Sequence, residues 1–253
     1  MLWSADNRVE SDLRAALGSL IQADEPWDEA GRDRQAAIDA DFSPPSQSMD
    51  AGGSVRLWRN QRCVVASRAQ SAMPRFEAAR RLSDAAGWPV MVRRSGGGAV
   101  VHRPGILNVS RRKILSPDSR SWMTSGYQDF LDLLVKALGE LGVACDHGRV
   151  FGSYCDGRFN LRCQGRKLAG TAAYAGFANG LRYCVFHASI VVSGSLEDDL
   201  AAIERFENGL GMNVAYDRTA HVSLSEAVHV KTAGCAPLAM PARAIHPMIT
   251  GEC

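Results

Sequence analysis

The sequence predicts an α+β domain, with a mixed, largely antiparallel sheet flanked by helices. Three observations carry this reading. Strand-like segments sit in pairs around the turns Pro104-Gly105 and Gln164-Gly165. Amphipathic helices fall between these groups without alternating regularly with single strands, which argues against a doubly wound parallel sheet. Neither GxGxxG before a helix nor GxxxxGK[ST] occurs, so the usual nucleotide-binding turns are missing.

The elements follow in order. Residues 8–22 place Val9, Leu13, Leu17, Leu20 and Ile21 on one helical face. Ala23 to Gly53 is polar and broken by Pro, Ser and Gly, a loop-rich approach with room for one short helix. Leu57-Trp58 and Cys63–Ala66 read as short strands. Residues 74–86 read as a helix opening at Pro74 and closing at Gly87. Pro89 then leads a short apolar strand that ends in Arg93-Arg94. Residues 99–110 read as two strands around a turn. Thr124–Leu141 carries Tyr127, Phe130, Leu131, Leu134, Val135, Leu138 and Leu141 at helical steps, with Gly142 as its cap. Residues 159–163 and 166–174 bracket the Gln164-Gly165 turn, and 181–192 reads as a strand buried on one or both faces. Ser195 caps a helix with Asp198 at its third position, turning Leu196, Leu200, Ile203 and Phe206 inward. Ser223 or Ser225 starts another. The chain reads as one domain over 1–253: an approach over 1–53, a core over 54–232 and an irregular tail over 233–253.

Composition narrows the function. Hydrophobic residues make up 46% of 253 and charged residues 22%, which excludes a disordered or collagen-like chain. No apolar run is long enough to span a membrane. A formal net charge of +2 gives no reason to expect nucleic-acid binding. The charged N-terminus lacks the apolar core of an export signal, so the expected compartment is the cytoplasm. There the cysteines, at 63, 145, 155, 163, 184, 235 and 253, are expected to be free thiols. No CxxC pair occurs, and no metal site is expected.

Three features carry chemistry. Arg93-Arg94-Ser95-Gly96-Gly97-Gly98 joins two strands, and three glycines let backbone N–H groups approach a ligand. The arginines add fixed positive charge, and His102 follows. The glycines alone would read as a flexible hairpin turn; the paired arginines and His102 turn the reading toward a site. Lys167, among the small residues Gly170, Thr171 and Ala172, follows a tight turn; it points into a pocket or into solvent. Cys155 lies on the Gly-flanked loop Gly152-Ser-Tyr-Cys-Asp-Gly157, a poor place for core packing. Near an ammonium its thiolate would be favoured as a nucleophile; otherwise it is an inert loop thiol.

VRRSGGGAVVH, GRKLAGTA and the strand from Phe186-His187 resemble, in order, three motifs of the biotin/lipoate ligase and octanoyl/lipoyl transferase superfamily. The resemblance implies the fold of the biotinyl/lipoyl ligase catalytic domain. It also implies octanoyl or lipoyl transfer to the lysine of a lipoyl-carrier domain. Arg94, Ser95, Gly96, Gly97 and Gly98 are then expected at the acyl site, with Lys167 meeting the activated carbonyl and Arg93 among the substrate-binding residues. Gly170, Thr171, Ala172, His102 and His187 complete the expected substrate-binding set. Ser153-Tyr-Cys-Asp-Gly-Arg-Phe-Asn-Leu161 is similar to the cysteine-dependent amidotransferase branch, with Asp156 and Asn160 as departures.

On this reading Cys155 carries the acyl group as a thioester and Lys167 stabilises the oxyanion. His102 and His187 are the candidate general bases. Val90, Val92, Val100 and Leu168 are expected to line an acyl slot. The donor stays open among octanoyl-acyl carrier protein, acyl-H protein of glycine cleavage, and free lipoate. The acceptor is the H protein or a dehydrogenase E2 lipoyl domain. The transferase route requires no cofactor. An ATP-dependent lipoate ligase would need ATP and Mg, with Arg93 and Arg94 on phosphate. A non-catalytic acyl-binding module of the same fold is the third reading.

Overall fold

A computed structural model describes residues 5–20, 33–45, 53–115 and 122–232. Helices α1 (Ala5–Leu20) and α2 (Arg34–Asp41) precede strands β1 (Ser54–Trp58) and β2 (Cys63–Ser67). Helices α3 (Arg68–Ser71) and α4 (Phe76–Ala85) lead to β3 (Val90–Arg93), β4 (Val100–His102) and β5 (Ile106–Ile114). After α5 (Trp122–Glu140) come β6 (Cys145–His147), β7 (Leu161–Cys163), β8 (Arg166–Ala178) and β9 (Leu181–Val191). Helices α6 (Leu196–Gly209) and α7 (Leu224–Thr232) close the described chain. Ile21 and the 233–253 tail lie outside the described residues.

Two sheets organise these elements. The larger has the order β1-β5-β9-β8-β7-β6, with every pairing antiparallel. The smaller has the order β3-β2-β4, with β2 and β3 parallel. One face of the large sheet, with Val109, Phe186 and Ile190, packs on Leu13 and Leu17 of α1 and Phe130, Leu134 and Leu138 of α5. Val64, Ala66 and Val101 of the small sheet bury against Ile203 and Phe206 of α6 and Ala79 of α4. Ile38 and Phe42, on and just after α2, meet Trp58 and Val65 between the sheets. No helix among the described residues is long and apolar enough to cross a membrane.

Local chemistry explains most boundaries. Ser195 Oγ accepts the Asp198 N–H at 3.1 Å and starts α6. Ser223 starts α7: its Oγ accepts the Glu226 N–H at 3.2 Å, and Glu226 accepts the Ser223 N–H at 3.0 Å. Gln164 and Gly165 both take positive φ, 52° and 76°, as a two-residue primed turn requires. In the loop-rich approach, Asp33 accepts from Gln35 and Ala36 N–H groups and caps α2.

Residues 99–110 differ from expectation. The two strands exist, but they do not pair with each other. β4 joins the small sheet and β5 the large one. Arg103 fixes the crossing between them. Its guanidinium forms a two-pronged pair with Asp199 at 2.7 and 2.6 Å and also donates to the Pro104 and Ser193 carbonyls. Both side chains are nearly fully buried, 9% and 2% exposed. Asp199→Ala strands this guanidinium, and urea unfolding is expected to show a loss of about 3–5 kcal/mol.

Candidate active site

The site forms where two loops meet. The first is the 148–160 loop between β6 and β7, which are paired at its base by Cys145↔Cys163, Asp146↔Arg162 and His147↔Leu161. It holds Cys155 at φ +45°, a left-handed conformation that a non-glycine residue adopts only when its surroundings impose it. The second is the 94–99 loop between the small-sheet strands β3 and β4.

Lys167 imposes the first loop's shape. It is fully buried. Its Nζ donates to the Tyr154 carbonyl at 2.5 Å and to the Cys155 carbonyl at 3.4 Å. It also stands 3.9 Å from the centre of the Tyr154 ring, a cation–π contact. That ring stacks on His221. Burial pushes the Lys167 ammonium down to about 8, opposed by the negative charges available at Cys155 and Asp156. Asp156, one of the two departures from the amidotransferase pattern, accepts the Val150 N–H at 2.8 Å and closes the same loop.

Arg93 shapes the second loop. Its guanidinium donates to Val65 O at 2.8 Å, Gly96 O at 2.8 Å and Gly98 O at 2.7 Å, and Nε donates to Ser95 Oγ at 3.1 Å. Beneath the loop, the buried Glu207 accepts from Ala99 N–H at 2.9 Å, from Gln70 Nε2 at 2.8 Å and from the Tyr216 hydroxyl. The loops then touch: the Gly98 N–H donates to Cys155 Sγ at 3.0 Å. A side chain fits poorly here. A Cβ on Gly97, at φ +97°, would lie 3.0 Å from Cys155 Sγ; one on Gly98 would lie 3.2 Å from Glu207 Oε1.

Cys155 stands on the wall of a cavity between the sheets. Ile38, Phe42, Trp58, Val65 and Val100 make its apolar side, and Gly170, Thr171, Ala172 and His187 belong to its large-sheet side. Of the four expected slot residues, Val100 alone lies there. Val90 and Leu168 face the two helix-backed cores instead. The apolar contribution of α2 was hidden in a stretch that reads as loop; Ile38 and Phe42, four residues apart behind Asp33, were the available signal.

The other expected residues separate by environment. Arg94 is exposed and off the cavity wall. Ser95 Oγ pairs with His187 Nε2 at 2.7 Å. Thr171 Oγ1 donates to Phe159 O at 2.7 Å. His102 lies between Asn60 at 3.5 Å and Ser189 at 3.3 Å. Burial, with Arg93 nearby, pushes His102 and His187 each down to about 3. Both imidazoles are therefore neutral and very weak bases, a poor match for a general base at neutral pH. Glu207, Gln70 and Tyr216 were not anticipated, because a buried carboxylate drawing donors from distant elements leaves no local pattern. Among the described residues no cluster of His, Cys, Asp and Glu is placed to hold a metal ion.

Residues 38–222 match the family model for the lipoyl protein ligase A/B catalytic domain. An octanoyl-[GcvH]:protein N-octanoyltransferase of Kyrpidia tusciae is 38% identical over 124 residues, 48% of this chain. That match covers 42% of the relative's own length, so the chain spans less than half of it. A Cupriavidus necator protein is 33% identical over 185 residues, 68% of this chain and 73% of its own. In fold, the Ta0514 protein of T. acidophilum superposes with a TM-score of 0.52 at 22% identity over 79% of each chain. Lipoate-protein ligase A bound with ATP does so at 0.51 and 18% identity over 80% of each. The architecture is thus that of the lipoate-ligase-like catalytic domains. The chain belongs to the lipoyl protein ligase A/B catalytic domain family.

Two outcomes follow for the site. If transfer depends on the Lys167 ammonium, its rate falls as pH rises through about 8, where that proton is lost. Lys167→Met should lower kcat/KM by on the order of 10²–10³ and flatten that alkaline limb, which steady-state rates from pH 6.5 to 9.5 would display. If Cys155 is acylated, Gly97→Ala should slow that step by on the order of 10² through misplacement of the thiol, while thermal unfolding reports an intact fold.

Proposed function

We propose that the chain moves an octanoyl or lipoyl group onto the lysine of a lipoyl-carrier domain through a thioester at Cys155. The observation that carries this is the Cys155 sulfur on the cavity wall, 3.0 Å from the Gly98 nitrogen, on a loop gripped by a buried ammonium. The sulfur attacks the acyl carbonyl of the donor, and the donor's leaving group departs with a proton. The acyl thioester forms with its chain in the cavity. The acceptor lysine, as free amine, attacks that thioester; the amide forms, the C–S bond breaks, and the amine proton returns to sulfur. Gly98 N–H and the Lys167 ammonium are the candidate donors to the oxyanion of each tetrahedral intermediate.

The named activity of the Kyrpidia relative supports octanoyl-H protein as donor, an amide exchanged for a thioester and back. The ATP-dependent alternative finds less support in the arginines. Arg93 already spends its donors on Val65, Ser95, Gly96 and Gly98, which leaves Arg94 to meet phosphate.

Intact-mass spectrometry tests the proposal. Incubation with octanoyl-H protein, without ATP, should add one octanoyl group to Cys155 that hydroxylamine removes. Octanoyl-acyl carrier protein, and lipoate with and without ATP and Mg, are the parallel arms. Full transfer by Cys155→Ser that requires ATP would instead establish a ligase.

A further inference from the structure

The cavity's large-sheet wall is built from strands whose residues stand in register. Gly170 of β8 opposes Ser189 of β9, Ser189 opposes Asn108 of β5, and Asn108 opposes Trp58 of β1. Gly170 lies at the Lys167 end of this row: a Cβ there would sit 3.6 Å from the ammonium nitrogen. Neighbouring strands are about 4.8 Å apart, so the strands of Asn108 and Gly170, two apart, stand roughly 10 Å from each other. That is about the reach of an eight-carbon acyl chain.

Asn108 is 2% exposed and on the cavity wall. Its Oδ1 accepts the Ser189 hydroxyl at 2.8 Å. Its Nδ2 has no hydrogen-bond partner among the described residues. Other polar groups on this wall are already paired. Asp41 takes Arg56 Nη1 at 2.8 Å and Ser110 Oγ at 2.6 Å, and His102 sits between Asn60 and Ser189. A plain alkyl tail would cover the Asn108 NH₂ and give it nothing, and a buried donor left bare is costly. A chain with an acceptor atom near its far end would satisfy it.

We propose that Asn108 is a specificity-determining residue that reads a hydrogen-bond acceptor, sulfur or oxygen, near the far end of the bound acyl chain. The pocket then prefers acceptor-bearing medium-chain acyl groups over the unsubstituted alkyl chain of equal length. This rests on reading the cavity as the acyl pocket. Sulfur is the weaker acceptor of the two, so an oxygen-bearing chain should gain at least as much as a sulfur-bearing one.

Calorimetric titration of the whole chain with sodium lipoate, 8-hydroxyoctanoate and octanoate tests this. The two acceptor-bearing acids should each bind at least roughly tenfold more tightly than octanoate, as one satisfied buried donor implies. Asn108→Leu, similar in shape and without the donor, should bring the ratios near unity by tightening octanoate. Free acids bind without reacting, and a Cys155→Ser host should give the same ratios, so a failure of the thioester step leaves this readout standing. Octanoate binding as tightly as the other two, no binding by any acid, or unchanged ratios in Asn108→Leu would each overturn the proposal. The wild-type ratio alone decides the matter should the variant fail to fold.

Discussion

The site depends on one buried ammonium. Lys167 leaves water for an environment that favours its neutral form, and two backbone carbonyls and a tyrosine ring compensate. Those carbonyls belong to Tyr154 and to Cys155 itself. The lysine therefore holds the backbone of the residue whose sulfur meets the Gly98 N–H. The left-handed φ at Cys155 is the strain this grip sustains. The β7–β8 turn matters for the same reason, since it brings Lys167 back beside the loop just upstream.

The opposing loop is held with equal stringency by different chemistry. Arg93 binds its carbonyls from within, and Glu207 binds its Ala99 N–H from below. Charged groups of opposite sign thus frame three glycines from two sides. What remains pointing outward is the Gly98 N–H, aimed at sulfur. The site sits between two sheets because the chain changes sheets at Arg103, whose pairing with Asp199 makes that crossing rigid.

Much of this was legible in the sequence, for physical reasons that differ by element. Helix α6 declared itself because Ser195 and its four inward residues are a local pattern. The Gln164-Gly165 turn did so because few dipeptides accept two positive φ angles. Cys155 and Lys167 stood out as candidates because a Gly-flanked loop cysteine packs poorly and small neighbours leave room beside a lysine, while an inert thiol and a solvated lysine stayed open. What stayed hidden was long-range. The separation of β4 from β5 is decided by Arg103 and a helix about a hundred residues on. Arg93 looked like a phosphate ligand because its charge is visible in sequence and its carbonyl partners are not. His102 and His187 stayed open as bases or as paired sheet histidines because burial, which lowers their basicity, is a tertiary property.

The central claim is that the Lys167 ammonium, through the backbone of the 148–160 loop, keeps the Cys155 sulfur on the Gly98 N–H. The amide resonance of Gly98, followed by NMR in ¹⁵N-labelled protein, reports that contact directly. Cys155→Ala should move this resonance, and Lys167→Met should move it in the same direction. A Gly98 signal that answers to Cys155→Ala and stays at its wild-type position in Lys167→Met would contradict the account.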